Sequence, residues 1–369
     1  MRTTRRLAAA ALAAATGVAT LAMTTPAAQA ARTPTCGGVR ATIVGTPGDD
    51  RLRGTPQRDV VVARGGDDVV RGLRGNDVIC GGPGRDRLLG QGGSDRLFGQ
   101  RDADTLLGGV DAELAAVEGV DMRGDTLDGG PGSDVLAGGR DPRHRRLADV
   151  TSVAVPDRIS FRSARHGVRV DLARGRRADG VARGAGRDRI RWQPVLGVVG
   201  TRYDDHIDGG RMAPRVDALA GDDRVTAYVR GPKRAGPAAY RSTVWGGPGT
   251  DAYTPRYHGR GAYEVDARYG LVQFDEPAYG RGRNTATAAG FERWDLRAYA
   301  VGRVRFLGSR RADTVLAGRA PLEAVMRRGD DVVRLGAGRD AVDGGPGSDT
   351  VTGARAGDSC TAVERGDCG

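Results

Sequence analysis

Aspartate recurs every nine residues through much of this 369-residue chain. From Gly45 the sequence runs as seven consecutive nonapeptides: GTPGDDRLR, GTPQRDVVV, ARGGDDVVR, GLRGNDVIC, GGPGRDRLL, GQGGSDRLF and GQRDADTLL. Position six is always Asp, at Asp50, Asp59, Asp68, Asp77, Asp86, Asp95 and Asp104. The same position returns at Asp125, Asp134, Asp205, Asp223, Asp251, Asp313, Asp331, Asp340, Asp349 and Asp358. Of 46 acidic residues, only 7 are Glu. A merely solvated acidic surface would use both types. Short carboxylates set among glycine turns suit a hard cation, which takes roughly six to eight oxygen ligands.

Carboxylates nine residues apart meet only if the chain coils with a matching period. Position eight supplies the element that would hold such a coil. It is a branched aliphatic throughout the first array: Leu52, Val61, Val70, Ile79, Leu88, Leu97 and Leu106. Each lies between two outward positions, the period-two alternation of a short strand. Only 5% of residues are aromatic, and 60 are Gly. That composition fits a repeat architecture with a thin core better than a conventional globule.

The pattern G-G-x-G-x-D-x-U-x, nearly complete in GGPGRDRLL (81–89), GGPGSDVLA (129–137) and GGPGSDTVT (344–352), resembles the calcium-binding nonapeptide of the hemolysin-type, or RTX, family. The resemblance implies an all-β fold, a parallel β-roll or β-solenoid of nonapeptide repeats with irregular inserted coils. Two nonapeptides would make one coil. Leu52, Val70, Leu88 and Leu106 would then line one sheet, and Val61, Ile79 and Leu97 the other. It further implies several Ca2+ ions held between coils by turn carbonyls and sixth-position carboxylates. The expected metal residues are Asp50, Asp59, Asp68, Asp77, Asp86, Asp95, Asp104, Asp125, Asp134, Asp205, Asp223, Asp331, Asp340 and Asp349. Calcium would then drive folding, because stacked Asp rows repel and Gly-rich turns are costly to order.

Some frames depart from the pattern. Gln57, Asp102 and Arg123 replace the fourth-position Gly, and Asp tolerates left-handed geometry best of the three. Pro214 and Leu322 stand where Asp is expected, so those frames should lack a ligand. The family is usually acidic, whereas this chain carries a net charge of +11. Arg is spread along the variable positions, which should face solvent. A polyanion such as an acidic wall polymer is therefore a candidate partner, and nucleic acid is not expected.

The chain divides into an export signal (1–30), an N-terminal roll (31–140) and irregular β coils (141–199). Degenerate repeats (200–254), further irregular coils (255–307) and C-terminal repeats with an end-cap (308–369) follow. The signal rests on a basic start, the apolar run Leu7 to Met23 and the site Ala28-Gln29-Ala30. It predicts a secreted mature chain beginning near Ala31, with no membrane span. Residues 111–118 read as a short helix or loop. Val168, Val170 and Leu172 alternate with Arg169 and Asp171, and Val304 and Phe306 with Arg303 and Arg305, so both irregular segments contain strands. They read as related variants of one module that continue the solenoid; two separate β domains is the alternative.

Four cysteines in an exported chain favour disulfides, and three pairings are open. Cys36–Cys80 with Cys360–Cys368, each stapling one end of the array, is the expected set. Cys360 stands in the aliphatic eighth position, as an end-cap would place it.

No HExxH or GxSxG motif occurs, and His144, His166, His206 and His258 are scattered. His206 falls at position seven and should be exposed. The chain is read as non-enzymatic. The alternative is a solenoid polysaccharide lyase or epimerase, for which Asp171, Lys233, Tyr240 and His258 are available without a spacing that singles them out. RGD occurs at 123–125, 328–330 and 365–367; the first two copies fall inside repeat frames, where Gly and Asp recur anyway.

Overall fold

Each nonapeptide of the array pairs with the next but one, so the chain winds into two facing sheets. In the computed structural model, residues 33–110, 124–139, 157–172, 180–191, 196–210, 215–228, 243–256, 262–275, 284–297 and 302–368 are described. The signal, the segment 111–118, Arg123, His144, Pro214, Lys233, Tyr240 and His258 lie outside them. The described residues hold strands and no helix. Pro34–Gly369 forms one unit with two sheets of 16 strands each.

In the first array the register is the one the repeat demands. Leu52 pairs with Val70, Val70 with Leu88, and Leu88 with Leu106, all parallel. Val61, Ile79, Leu97 and Leu127 form the opposite row. Ile79, Leu88, Leu97, Leu106 and Leu127 are fully buried, and the two rows make one continuous core. Each such side chain contributes roughly 1.5–3 kcal/mol of burial.

Positions seven and nine face outward, but not everywhere to solvent. A hairpin of Thr35–Cys36 and Val39–Arg40 lies over one sheet and is tied to it by the Cys36–Cys80 disulfide. Val60, Val78 and Cys80 are buried beneath it in a second, outer apolar cluster. At the other end Cys360 pairs in register with Val342 and bonds to Cys368. Both disulfides are the expected ones.

The irregular segments continue the solenoid, and each inserts a reversed strand. In one sheet the neighbours run Val135–Gly139, Arg187–Ile190, Gly180–Arg183, Arg169–Asp171 and His206–Asp208, with Gly180–Arg183 antiparallel to both its partners. In the other sheet Thr243–Trp245, Asn284–Ala289, Leu271–Asp275, Ala262–Asp266 and Val304–Leu307 repeat that order. The two insertions therefore share one topology on opposite sheets. Val168, Val170, Leu172, Val304 and Phe306 are buried, as the alternation requires.

The second insertion changes the core. Tyr253 takes the eighth-position site, and Trp294 follows it in register. The Tyr253–Phe291, Tyr253–Trp294 and Trp294–Phe306 ring centroids lie 5.1, 5.9 and 5.7 Å apart. These spacings are favourable for aromatic pairs.

Candidate metal site

In the regular repeats each strand begins one residue after a sixth-position Asp, so successive nonapeptides deliver carboxylates alternately to the two edges of the roll. The carboxylates are buried: Asp68, Asp77, Asp86, Asp95, Asp104, Asp125, Asp134, Asp223, Asp331 and Asp349 are at most 2% exposed. Burial of so many Asp side chains demands partners.

One oxygen of each is satisfied by the coil before it. The backbone N–H of Asp50 donates to Oδ1 of Asp68 at 2.7 Å, Asp68 to Asp86 at 2.9 Å and Asp86 to Asp104 at 2.8 Å. Asp104 donates to Asp134, and Asp134 to Asp188. The opposite edge repeats this from Asp59 through Asp77, Asp95 and Asp125 to Asp157. Further rows run Asp205, Asp223, Asp251, Glu292 and Asp313, Asp331, Asp349, Glu364. Leu322 keeps its place with a backbone N–H donated to Asp340 at 2.8 Å, but it brings no carboxylate.

A second ladder runs the other way on the surface. Position-five side chains accept from the following coil: Asp49 from the N–H of Asp67, Asp67 from Arg85, Asp204 from Asp222 and Asp330 from Ser348. Coils are thus clamped in both directions by carboxylates.

The other oxygen divides the sites. Oδ2 of Asp68, Asp77, Asp86, Asp104, Asp134, Asp223, Asp251, Asp331 and Asp349 is buried without a hydrogen-bond partner. Asp50, Asp59, Asp205 and Asp340 have theirs filled by a turn N–H. Buried acceptors of this kind are costly unless something positive approaches them. The carboxyls respond accordingly. Burial, offset in part by the hydrogen bond from the preceding coil and reinforced by neighbouring carboxylates, pushes Asp86 up to about 7 and Asp104 up to about 8. Burial likewise takes Asp77 to about 6 and Asp223 and Asp331 to about 7.

The residues fit an oxygen-ligated divalent cation. At Gly72, Gly90, Gly99 and Gly246 a Cβ would run into both the Oδ2 of that turn's own Asp and the position-one carbonyl of the next coil. Two kinds of oxygen thus converge beside position one. Among the described residues no three His, Cys, Asp or Glu side chains gather closely enough to hold a metal. An ion here would draw part of its shell from turn carbonyls, as hard cations accept.

The sequence reading missed Asp157, Asp188, Glu292 and Glu364 as members of the rows. The first two keep the Asp-x-aliphatic core of the repeat, Asp157-Arg158-Ile159 and Asp188-Arg189-Ile190, without its glycines. His206 is also corrected: it is half-buried rather than exposed, and burial together with Arg169 and Arg224 lowers its pKa. Arg169 and Arg224 flank it in register on neighbouring strands.

The sequence profile of the RTX calcium-binding nonapeptide repeat matches this chain in four copies, at residues 44–79, 81–112, 123–141 and 327–359. The matches cover about a third of the chain. They omit the rows around Asp205, Asp223 and Asp251, which continue the same hydrogen-bond pattern. Among curated proteins none matches the chain. Matched stretches and carboxylate rows coincide from Asp50 to Asp134 and from Asp331 to Asp349, and there the chain is built of RTX calcium-binding nonapeptide repeats.

Proposed function

We propose that this is a secreted protein whose roll folds as it takes up several calcium ions, and whose role is structural or surface-binding. The observation that carries the reading is the set of buried, unpartnered Oδ2 atoms at Asp68, Asp77, Asp86, Asp104, Asp134, Asp223, Asp251, Asp331 and Asp349. Sixth-position Asp and turn carbonyls would hold the ions, which would neutralise carboxylates one strand spacing apart, roughly 4.8 Å. Binding to the folded state alone stabilises that state by mass action. Export is supported by the basic and apolar N-terminal run and by the two disulfides. The test is calorimetric titration of the purified mature chain, with circular dichroism before and after chelation. Uptake of calcium with gain of β-structure is expected. No uptake at millimolar calcium would overturn the reading.

A second reading concerns the outer faces. Position-seven Arg169, His206, Arg224 and, two strands on, Arg293 stack along one sheet. That row suits an acidic glycan or wall polymer. Salt-sensitive binding without turnover would support it, and binding unaffected by salt would overturn it.

A further inference from the structure

The turns fall into two classes, and the backbone conformation at position two separates them. The first class is represented by nine turns in which that residue, or the glycine in its place, is left-handed. Arg64, Leu73, Gln100, Leu219 and Arg327 have φ of 86°, 85°, 83°, 80° and 78°. Gly82, Gly130, Gly247 and Gly345 are also at positive φ. These turns belong, in order, to Asp68, Asp77, Asp104, Asp223 and Asp331, and to Asp86, Asp134, Asp251 and Asp349. All nine of these carboxylates have the bare Oδ2. A left-handed Arg or Leu costs roughly 1–2 kcal/mol, so the conformation is imposed by the coil and not chosen by the side chain.

The other class has no left-handed residue at position two: Thr46, Thr55, Thr201 and Ser309, and once a glycine, Gly336, whose N–H reaches Oδ2 of Asp340 at 3.2 Å on the first carboxylate after Leu322. Here the position-two N–H turns inward and donates to its own Asp. Thr46 reaches Oδ2 of Asp50, Thr55 that of Asp59, Thr201 that of Asp205 and Ser309 that of Asp313, each at 2.6 Å. The threonine hydroxyls add a second donor, at 3.1 Å to Asp50, 2.9 Å to Asp59 and 2.9 Å to Asp205. Each hydroxyl oxygen in turn accepts the position-four N–H, from Gly48, Gln57, Tyr203 and Arg311. None of those four position-four residues is left-handed either. That is why Gln57 is tolerated where a glycine was expected.

We propose that position two decides which turns call for calcium. The inference rests on the calcium-binding reading and assigns its sites. In the Thr and Ser turns, N–H and O–H dipoles point their positive ends at the oxygen an ion would use. At Asp50, Asp59 and Asp205 the carboxylate is neutralised from within, and a cation meets repulsion there; at Asp313 Oδ2 is closed in the same way while Oδ1 stays bare. In the left-handed turns that oxygen has no donor, and calcium is the partner it takes. The capped turns are placed at the openings of the repeat arrays: Thr46 and Thr55 begin the first, Thr201 the second and Ser309 the third. They are calcium-independent starting coils, on which the calcium-dependent coils stack.

The test uses the full mature chain. Thr46→Gly converts GTPGDD to the GGPGDD form, and Gly345→Thr makes the reverse change. Calorimetric stoichiometry should rise by one ion for Thr46→Gly and fall by one for Gly345→Thr. Hydrogen exchange on the unsubstituted chain needs no variant. In chelator the amides of Thr46, Thr55, Thr201 and Ser309 should stay protected, while those of Arg64, Leu73 and Leu219 lose protection by tenfold or more. Unchanged stoichiometry in both variants, with equal loss of protection in both classes, would overturn the inference and leave calcium binding intact. If the unsubstituted chain takes up no calcium, the calcium reading fails, and this assignment falls with it.

Discussion

The first array and the second insertion bury their interiors by different means. Between Gly45 and Val110 the core is two facing rows of aliphatic side chains, one per strand, flanked by carboxylates of which Asp68, Asp77, Asp86 and Asp104 have bare oxygens. Around Trp294 the core is aromatic, and two nearby carboxylates are closed by arginine, while Asp251 keeps a bare oxygen. Arg297 grips Asp295 at 2.9 and 2.7 Å, and Arg268 grips Asp266 at 2.8 and 2.5 Å. One region is thin and electrostatically incomplete, and the other is thick and largely neutralised by its own arginines. On the proposed reading, the same coil is stabilised by an external ion in one region and by its own side chains in the other.

The largest expected effect follows from chelation. With calcium removed, the array should lose its β-structure while the aromatic region holds. In a Trp192→Phe/Trp245→Phe background, emission from Trp294 should keep its buried, blue-shifted character as far-ultraviolet dichroism from the array collapses. If Trp294 becomes exposed at the same chelator concentration, the two regions melt as one unit and the contrast between them is wrong.

Truncating the aromatic core sharpens the same contrast. Trp294→Ala should cost roughly 3–5 kcal/mol with or without calcium, read by urea denaturation. Leu97→Ala should cost roughly 2–5 kcal/mol, but only where calcium has made the array fold. A Trp294→Ala penalty that disappears in chelator would place the aromatic region under calcium control as well.

The pH response should differ in sign with and without the ion. A carboxyl whose folded pKa is raised favours folding in its protonated form. That contribution is complete below the ordinary value of 3.8 and is lost as pH climbs through about 6 at Asp77, about 7 at Asp86 and about 8 at Asp104. Without calcium the array should therefore weaken as pH rises from 4 to 8. With calcium the order reverses, because protons and the ion compete for the same oxygens and affinity grows across that window. Denaturation midpoints at pH 5 and pH 8, each with and without calcium, check this. Parallel trends in the two conditions would separate the buried carboxylates from the ion.

Positions six and eight were legible because their chemistry is the same in every coil: a carboxylate for the edge and a branched side chain for the core. The sheet register followed from them, since a slip of one residue would turn Leu88 or Ile79 to solvent. Position two was not legible. Arg64, Leu73 and Gln91 are poor choices for a left-handed residue, and only the stacked coils impose that conformation. The position-five ladder was hidden in the doublets Asp49-Asp50, Asp67-Asp68 and Asp204-Asp205, where one carboxylate looks redundant beside the other. The reversed strands escaped because alternation at Val168, Val170 and Leu172 announces a strand but not its direction. Glu292 and Glu364 hold row positions with one more methylene than Asp, on segments that lack the glycine turn, so no repeat pattern points to them.

The smallest effect tests the arginine forks that set the inserted region apart. Arg297 is largely exposed while Asp295 is half-buried, and the fork holds the Asp295 carboxyl below its ordinary value. Exposed pairs of this kind contribute about 0.2–1 kcal/mol, and a two-pronged contact belongs near the upper end. Arg297→Ala should therefore lower stability by less than about 1 kcal/mol. The depressed pKa fixes the direction with pH: the contribution is present above the ordinary carboxylate value and is lost as pH falls through the lowered one. Calcium should leave it unchanged, because the carboxylate already has its counter-charge. A calcium-dependent penalty for Arg297→Ala, measured by paired urea titrations, would mean that the inserted region also draws on the ion.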